Sequence, residues 1–267
     1  MATSSKNVLK SIRRQVCGDF STADVNVLYD LTINSISPQL AATELVQFAL
    51  QESDTRLAFS DISTQILSLA CESPFAHFQL AALIGSVTED VGNDIPSEAG
   101  EQFRSTFATA LGDLAQSEYA QLQDQNVPQE SDQATEYVHL NGFIAHLLAI
   151  LKLGGSKRVT GPDDTLFIIT NALEEEPAKV DVRVAAQYFI HATNILKHAC
   201  QSHVGRDEAA KSPLWATHGK LWTGEPGYGV ERLQFWEERF GALSAREDIV
   251  KDARTAANRA RRAIRMA

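Results

Sequence analysis

Residues 133–153 read QATEYVHLNGFIAHLLAILKL, and this stretch decides the fold class. It holds no proline and shows no strand-like alternation. It closes on Gly154-Gly155, residues suited to a helix C-terminus because glycine adopts left-handed backbone without a Cβ clash. The segment therefore reads as a strongly apolar, buried α-helix. Its longest apolar run, Phe143 to Leu153, is interrupted by His146 and Lys152. That run falls well short of the roughly 20 residues a bilayer helix needs.

The same helical period continues on both sides. Toward the N-terminus, short amphipathic helices are expected from Asn7 to near Gly18, and after Ser21-Thr22 with Val25, Leu28 and Leu31 on one side. Pro38 suits a first helical turn, where its missing N–H is not needed. Further helices are expected from Ser60 to Cys71, from Pro74 to near Val87, and from Ser97 to about Gln125. Toward the C-terminus, Asp163-Asp164 favour a helix start ahead of Leu166 to Leu173, because carboxylates complement the helix dipole there. Asp181 to about His203 reads as one long helix, and Glu231 to Phe240 as a short one. Ser244-Ala-Arg-Glu247 reads as a capping box opening the last helix. Short joints between helices favour antiparallel neighbours. The expected fold is all-α, a roughly ten-helix bundle or irregular α-solenoid-like array. It forms a single domain, with a sub-lobe boundary expected near 126–132 or 156–162.

Composition bounds the rest. In 267 residues, 44% are hydrophobic and 22% charged, ordinary globular usage, so a folded chain with a real core is expected and disorder of the whole chain is not. A net charge of -10 argues against general affinity for nucleic acid or anionic lipid, which need clustered cations. Cys17, Cys71 and Cys200 form neither CxxC nor zinc-ligand spacing and point to a reducing compartment. With no signal-peptide core or membrane-length helix, a cytoplasmic or nuclear location is expected.

Two helices carry histidines seven positions apart, His139 with His146 and His191 with His198. Seven residues make nearly two turns, so each pair shares a face but is separated by about 10 Å along the axis. Gln187 and Asn194 extend the second pair into a polar stripe. If the stripes face each other they line a pocket; otherwise they are boundary residues, hydrogen-bonded or half exposed. Glu136-Tyr-Val-His139 has the Glu-x-x-His spacing of di-iron bundles but lacks the second copy that such sites require, so no metal and no cofactor is expected. No Gly-x-Ser-x-Gly elbow, phosphate loop, dinucleotide fingerprint or DDxxD motif is present. From Lys251 to the end, six basic residues face one acidic residue, Asp252. That pattern reads as a solvated or dipole-complementing helix end, or as a surface for an acidic partner.

The tail is aromatic: Trp215, Trp222 and Trp236 stand near Tyr228, Phe235 and Phe240. Arg232, Phe235, Trp236 and Arg239 follow at i, i+3, i+4 and i+7, so a guanidinium can stack beside rings. Trp222, Tyr228, Arg232, Phe235, Trp236 and Arg239 are thus candidates for a latch that pins the C-terminal helix to the domain, or for an interaction surface. Trp222-x-Gly224, followed by Glu231-Arg232-x-x-Phe235-Trp236-x-x-Arg239, resembles the pattern of an uncharacterised all-helical protein family of filamentous fungi. Leu233 stands where that pattern has tryptophan. The resemblance implies a helical fold and fungal origin, and it transfers no catalytic residue.

The function expected on these grounds is a non-enzymatic adaptor or scaffold whose partner is another protein, with homo-oligomerisation compatible and nucleic acid disfavoured. The alternative is an enzyme or ligand-binding accessory of fungal metabolism, with a pocket between the His139/His146 and His191/His198 helices. Circular dichroism should give a strongly helical spectrum; a strand-dominated one would overturn the fold class.

Overall fold

The computed structural model describes residues 22–88, 95–124, 130–151, 161–176, 178 and 180–267. The helix expected between Asn7 and Gly18 lies outside them, as do most of the polar stretches around 126–132 and 156–162. The described residues form eleven α-helices and no strand. They divide into two compact units, one of residues up to 119, the other of residues 120–151 and 161–267.

In the first unit, α1 (Thr22–Thr32), α2 (Pro38–Gln51), α3 (Thr55–Glu72) and α4 (His77–Thr88) pack around one another. Their starts follow from capping chemistry. Ser37 Oγ accepts the Leu40 N–H at 3.2 Å with Pro38 in the first turn, and Asp54 Oδ1 accepts the Leu57 N–H at 3.0 Å. Asp54 thus starts α3 about one turn earlier than the apolar period suggests. Pro74 opens a single 3₁₀ turn rather than α4 itself. The buried His77 ring then meets the Ala70 carbonyl at 2.8 Å and ties the corner together. The buried row Ala41, Ala42, Leu45, Val46 and Ala49 lets α2 approach α4 closely. Residues of α5 (Ser97–Asp124) join through Phe103, whose ring stands edge-on to Phe59 with centroids 5.5 Å apart.

The second unit holds α6 (Asp132–Leu151), α7 (Pro162–Leu173), α8 (Val182–His191), α9 (Thr193–Gln201), α10 (Val230–Ala245) and α11 (Lys251–Met266). The central element is α8, which packs against α6, α7 and α11. It buries Val182, Val184, Ala185, Ala186, Tyr188 and Phe189, so apolar side chains cover most of its circumference. Tyr188 donates its hydroxyl to Asn141 Oδ1 at 2.8 Å, and Asn141 Nδ2 donates to the Tyr137 carbonyl at 2.9 Å. A phenol without such a partner would carry a desolvation cost. The face of α11 that meets α8 and α10 is small, Ala253, Ala257 and Ala260 with Ile264.

Two boundaries differ from those the sequence suggests. The stretch 181–203 is not one helix but two, broken at Ala192, whose ψ of 21° leaves the helical region; the Thr193 hydroxyl turns back to the Phe189 carbonyl. Ser244 opens no helix. It lies in the last turn of α10, donating to the Gly241 carbonyl at 2.8 Å, because Phe240 and Leu243 remain buried and carry the helix onward. The final helix starts instead at Lys251.

Among the described residues no single helix is long and apolar enough to cross a membrane. Only the pair Thr55–Glu72 and Pro74–Val87, bent by 117°, passes on length and composition together. Phe59→Ala removes a fully buried ring from the first unit. It should lower stability by about 3–5 kcal/mol, measured by denaturant unfolding.

Candidate functional site

The densest polar arrangement is built on Glu174, the residue that ends α7. Its side chain is fully buried. Oε1 accepts from Arg232 Nε at 2.7 Å and from Trp236 Nε1 at 2.7 Å. Oε2 accepts from Arg232 Nη2 at 2.9 Å and from the Gly219 backbone N–H at 3.0 Å. A carboxylate offers about four acceptor positions, and all of them are filled. Arg232 is equally engaged: Nη1 donates to the Gly227 carbonyl at 2.7 Å, and Nη2 also reaches the Thr217 carbonyl at 2.8 Å and Thr170 Oγ1 at 3.0 Å. The guanidinium lies over the rings of Trp236 and Trp222, at 5.4 and 5.8 Å from their centroids. The pair has no exposed side-chain surface and the carboxylate's acceptor positions are filled, so the arrangement serves to hold the structure together.

The local sequence explains how the parts arrive. On α10, Arg232, Trp236 and Arg239 are at i, i+4 and i+7, so one face presents all three to the C-terminal end of α7. Arg239 Nε donates to the Leu173 carbonyl at 3.0 Å, satisfying a group that the helix end leaves open, and its Nη2 reaches Glu176 at 3.1 Å. Arg246 adds a second contact to Glu176. Together the hydrogen bonds from Arg239 and Arg246 hold the Glu176 carboxyl below its usual range.

The chain between α9 and α10 supplies the remaining donors and acceptors. Gly219 passes so close to Glu174 that a Cβ would lie 2.3 Å from the Glu174 carbonyl oxygen. Gly227 has φ of +72° and backs onto the Val204–Arg206 backbone, so a side chain is excluded there by conformation and space alike. Tyr228 is buried beside the rings of Trp215 and Trp236. Trp222 is half-buried, packs on Phe235 with centroids 5.4 Å apart, and donates Nε1–H to the Glu225 carbonyl at 3.1 Å. Of the six aromatic-segment candidates, Tyr228, Arg232 and Trp236 are therefore inside the unit, while Trp222, Phe235 and Arg239 lie at its edge.

The histidines separate into a pair and two outliers. His146 on α6 and His191 on α8 meet with ring centroids 4.1 Å apart. Burial lowers the pKa of His146; burial, His146 and the charge of Arg259 bring His191 down to about 4. His139 is half-buried two turns before His146. His198 and Asn194 are exposed on α9, beyond the break at Ala192, and Gln187 is half-buried one turn before His191. The break divides the stripe that a continuous helix would have kept on one face. Among the described residues no group of three or more His, Cys, Asp or Glu is placed to hold a metal ion.

Sequence reasoning missed Glu174, which stands first in a run of three glutamates and reads as the solvated end of a helix. Its only visible signal was position, directly after the apolar face of α7. A second missed place lies in the first unit. Asp24 Oδ1 and both amide atoms of Gln65 are buried without a protein hydrogen-bond partner. Burial, with Glu52 and Asp61 adding to it, pushes the Asp24 carboxyl up to about 6.

The chain belongs to the family described as Protein of unknown function (DUF3632), whose family model matches residues 64–240. The matched span contains both Glu174 and the Arg232, Trp236, Arg239 face. No curated protein and no solved structure matches the chain.

Removing one partner of a buried ion pair leaves the other charge uncompensated. Glu174→Gln or Arg232→Met alone should therefore cost about 3–5 kcal/mol in chemical denaturation. The double variant Glu174→Gln/Arg232→Met should cost less than the sum of the two singles; strict additivity would show that the two side chains are not coupled.

Proposed function

We propose that this is a non-enzymatic interaction protein, an intracellular adaptor that binds another protein through its first unit. The observation that carries this reading is where the exposed apolar side chains stand. Of the ten large hydrophobic residues exposed among the described ones, six lie between residues 33 and 78: Ile33, Leu40, Leu50, Leu57, Phe75 and Phe78. Phe75 and Phe78 are 52% and 58% exposed and sit three positions apart at the corner between α3 and α4. Exposed aromatic side chains of this kind are favoured anchors at protein interfaces.

The surrounding charge selects the partner's chemistry. Residues 22–88 carry Asp24, Asp30, Glu44, Glu52, Asp54, Asp61 and Glu72 against Arg56 alone. A partner segment that presents apolar side chains among lysines and arginines complements that surface, and electrostatic complementarity steers such encounters. The fungal origin implied by the Trp222 to Arg239 segment, and a cytoplasmic or nuclear location, belong to the same reading. A second reading, an enzyme or ligand-binding accessory with a pocket between the histidine helices, is favoured by the His146–His191 contact.

The test uses a fluorescent amphipathic helical peptide of Leu and Lys, with a Leu and Glu version as control, followed by anisotropy. Phe75→Ser/Phe78→Ser should weaken binding of the basic peptide by roughly tenfold or more, equivalent to about 1.4 kcal/mol, while leaving the helical spectrum unchanged. Equal binding of the acidic peptide, or no loss in the variant, would contradict the proposal.

A further inference from the structure

The outer face of α11 carries positive charge that the fold does not use. Toward the core this helix presents Ala253, Ala257, Ala260 and Ile264, all buried and spaced at i, i+4, i+7 and i+11. On its other side Lys251, Arg259, Arg262 and Arg265 are exposed. Arg259, Arg262 and Arg265 follow one another at intervals of three, which makes them neighbours on the helix surface. Like charges so placed repel, at some cost to the helix.

Two ordinary uses of such charge are already met by other groups. A helix dipole favours cations in the last turn. Arg265 stands there, and Lys197 of α9 donates from Nζ to the Ile264 carbonyl at 3.5 Å. The acid that faces this helix from α10, Glu237, is shared by Arg265 at 2.6 Å and Arg261 at 3.8 Å. The one acid of α11 itself, Asp252, lies in its first turn. Arg259 and Arg262 precede the last turn, and among the described residues neither is ion-paired with a carboxylate. Two guanidinium groups one turn apart are thus presented to solvent without a counter-charge.

The residues around them select what can cover this face. The other exposed positions are Thr255, Asn258 and, at the end of the helix, Met266. None is aromatic, so a nucleic-acid strand finds no ring on which to stack a base. The apolar side of α11 is turned inward, so no apolar face remains to enter a lipid surface. A net charge of -10 also repels extended polyanions at long range. A short carboxylate-rich segment meets none of these objections, and its side chains match the forked N–H donors of arginine. We propose that the face of α11 bearing Arg259 and Arg262 is a docking surface for a short Asp- and Glu-rich segment of a partner protein. The surface lies in the second unit and is independent of the apolar surface of the first. Offering charge and no apolar anchor, it holds its partner weakly, and salt releases it.

The experiment follows the anisotropy of a labelled peptide of alternating Glu and Ser, about three helical turns in length, titrated with the full chain. A Gln and Ser peptide and a single-stranded oligouridylate serve as comparisons. The Glu peptide should bind and the Gln peptide should not, with affinity falling severalfold between about 0.01 M and 0.15 M ionic strength. Arg259→Gln/Arg262→Gln should weaken the Glu peptide by about tenfold and leave the thermal midpoint unchanged or raised, because repulsion is relieved. Lys211→Gln/Lys220→Gln removes the same charge from exposed positions elsewhere in the second unit and should leave affinity nearly unchanged, as should Phe75→Ser/Phe78→Ser. An equal loss in either of these chains would overturn the proposal, as would tighter binding of the oligouridylate. A lowered thermal midpoint in the arginine variant would also overturn it, by assigning those side chains to the fold.

Discussion

The buried carboxylate of Glu174 is the constraint on which the second unit depends. A charge removed from water must be matched in place by an opposite charge and by hydrogen bonds to its remaining acceptor positions. Here the match comes from two separate stretches. Arg232 and Trp236 reach in from α10, and Gly219 contributes a backbone N–H from the irregular chain before it. The guanidinium extends the same demand to Thr170, Thr217 and Gly227. Each contact is worth little net, since water offers similar bonds to an unfolded chain. Their joint effect is geometric, because the irregular segment and α10 can take few positions that leave none of these groups unpaired. Phe189 on α8 packs edge-on to both Trp236 and Phe240, which relates that joint to the central helix.

Much of this was legible in the sequence, and the failures have physical causes. Ser37-Pro38 marks a helix start because a hydroxyl and a missing N–H act within one turn, a purely local matter. The i, i+4, i+7 set on α10 was visible as a face, though nothing in a sequence says what that face meets. Glu174 was invisible for that reason: a glutamate is hidden in the fold only if a guanidinium and an indole approach from about 60 residues away. The break at Ala192 carries no glycine or proline to announce it. Ser244 matched a capping box by pattern, but burial of Phe240 and Leu243 outweighs the roughly 1 kcal/mol that a cap offers. The seven-residue histidine spacing was readable, but only packing decides that His146 meets His191 while His198 turns to solvent.

Charge is distributed unevenly along the chain in a way that helical packing does not need. The helices of the first unit are acidic and expose phenylalanine and leucine, whereas α11 carries basic residues on its outer face and alanine within. In the second unit the aromatic segment near the C-terminus is used for internal packing, since Arg232 and Trp236 have no exposed surface. On the adaptor proposal, recognition falls to a surface the aromatic segment does not include, the corner at Phe75 and Phe78.

The central claim is that Glu174 binds α10 and its preceding segment into the cooperative body of the second unit. Hydrogen exchange of the indole N–H groups tests it most directly, because Trp236 donates to buried Glu174 while Trp222 donates to the carbonyl of exposed Glu225. The account predicts that the Trp236 indole and the Gly219 amide exchange only when the unit unfolds, orders of magnitude more slowly than the Trp222 indole. Exchange of the Trp236 indole as fast as that of Trp222 would contradict it.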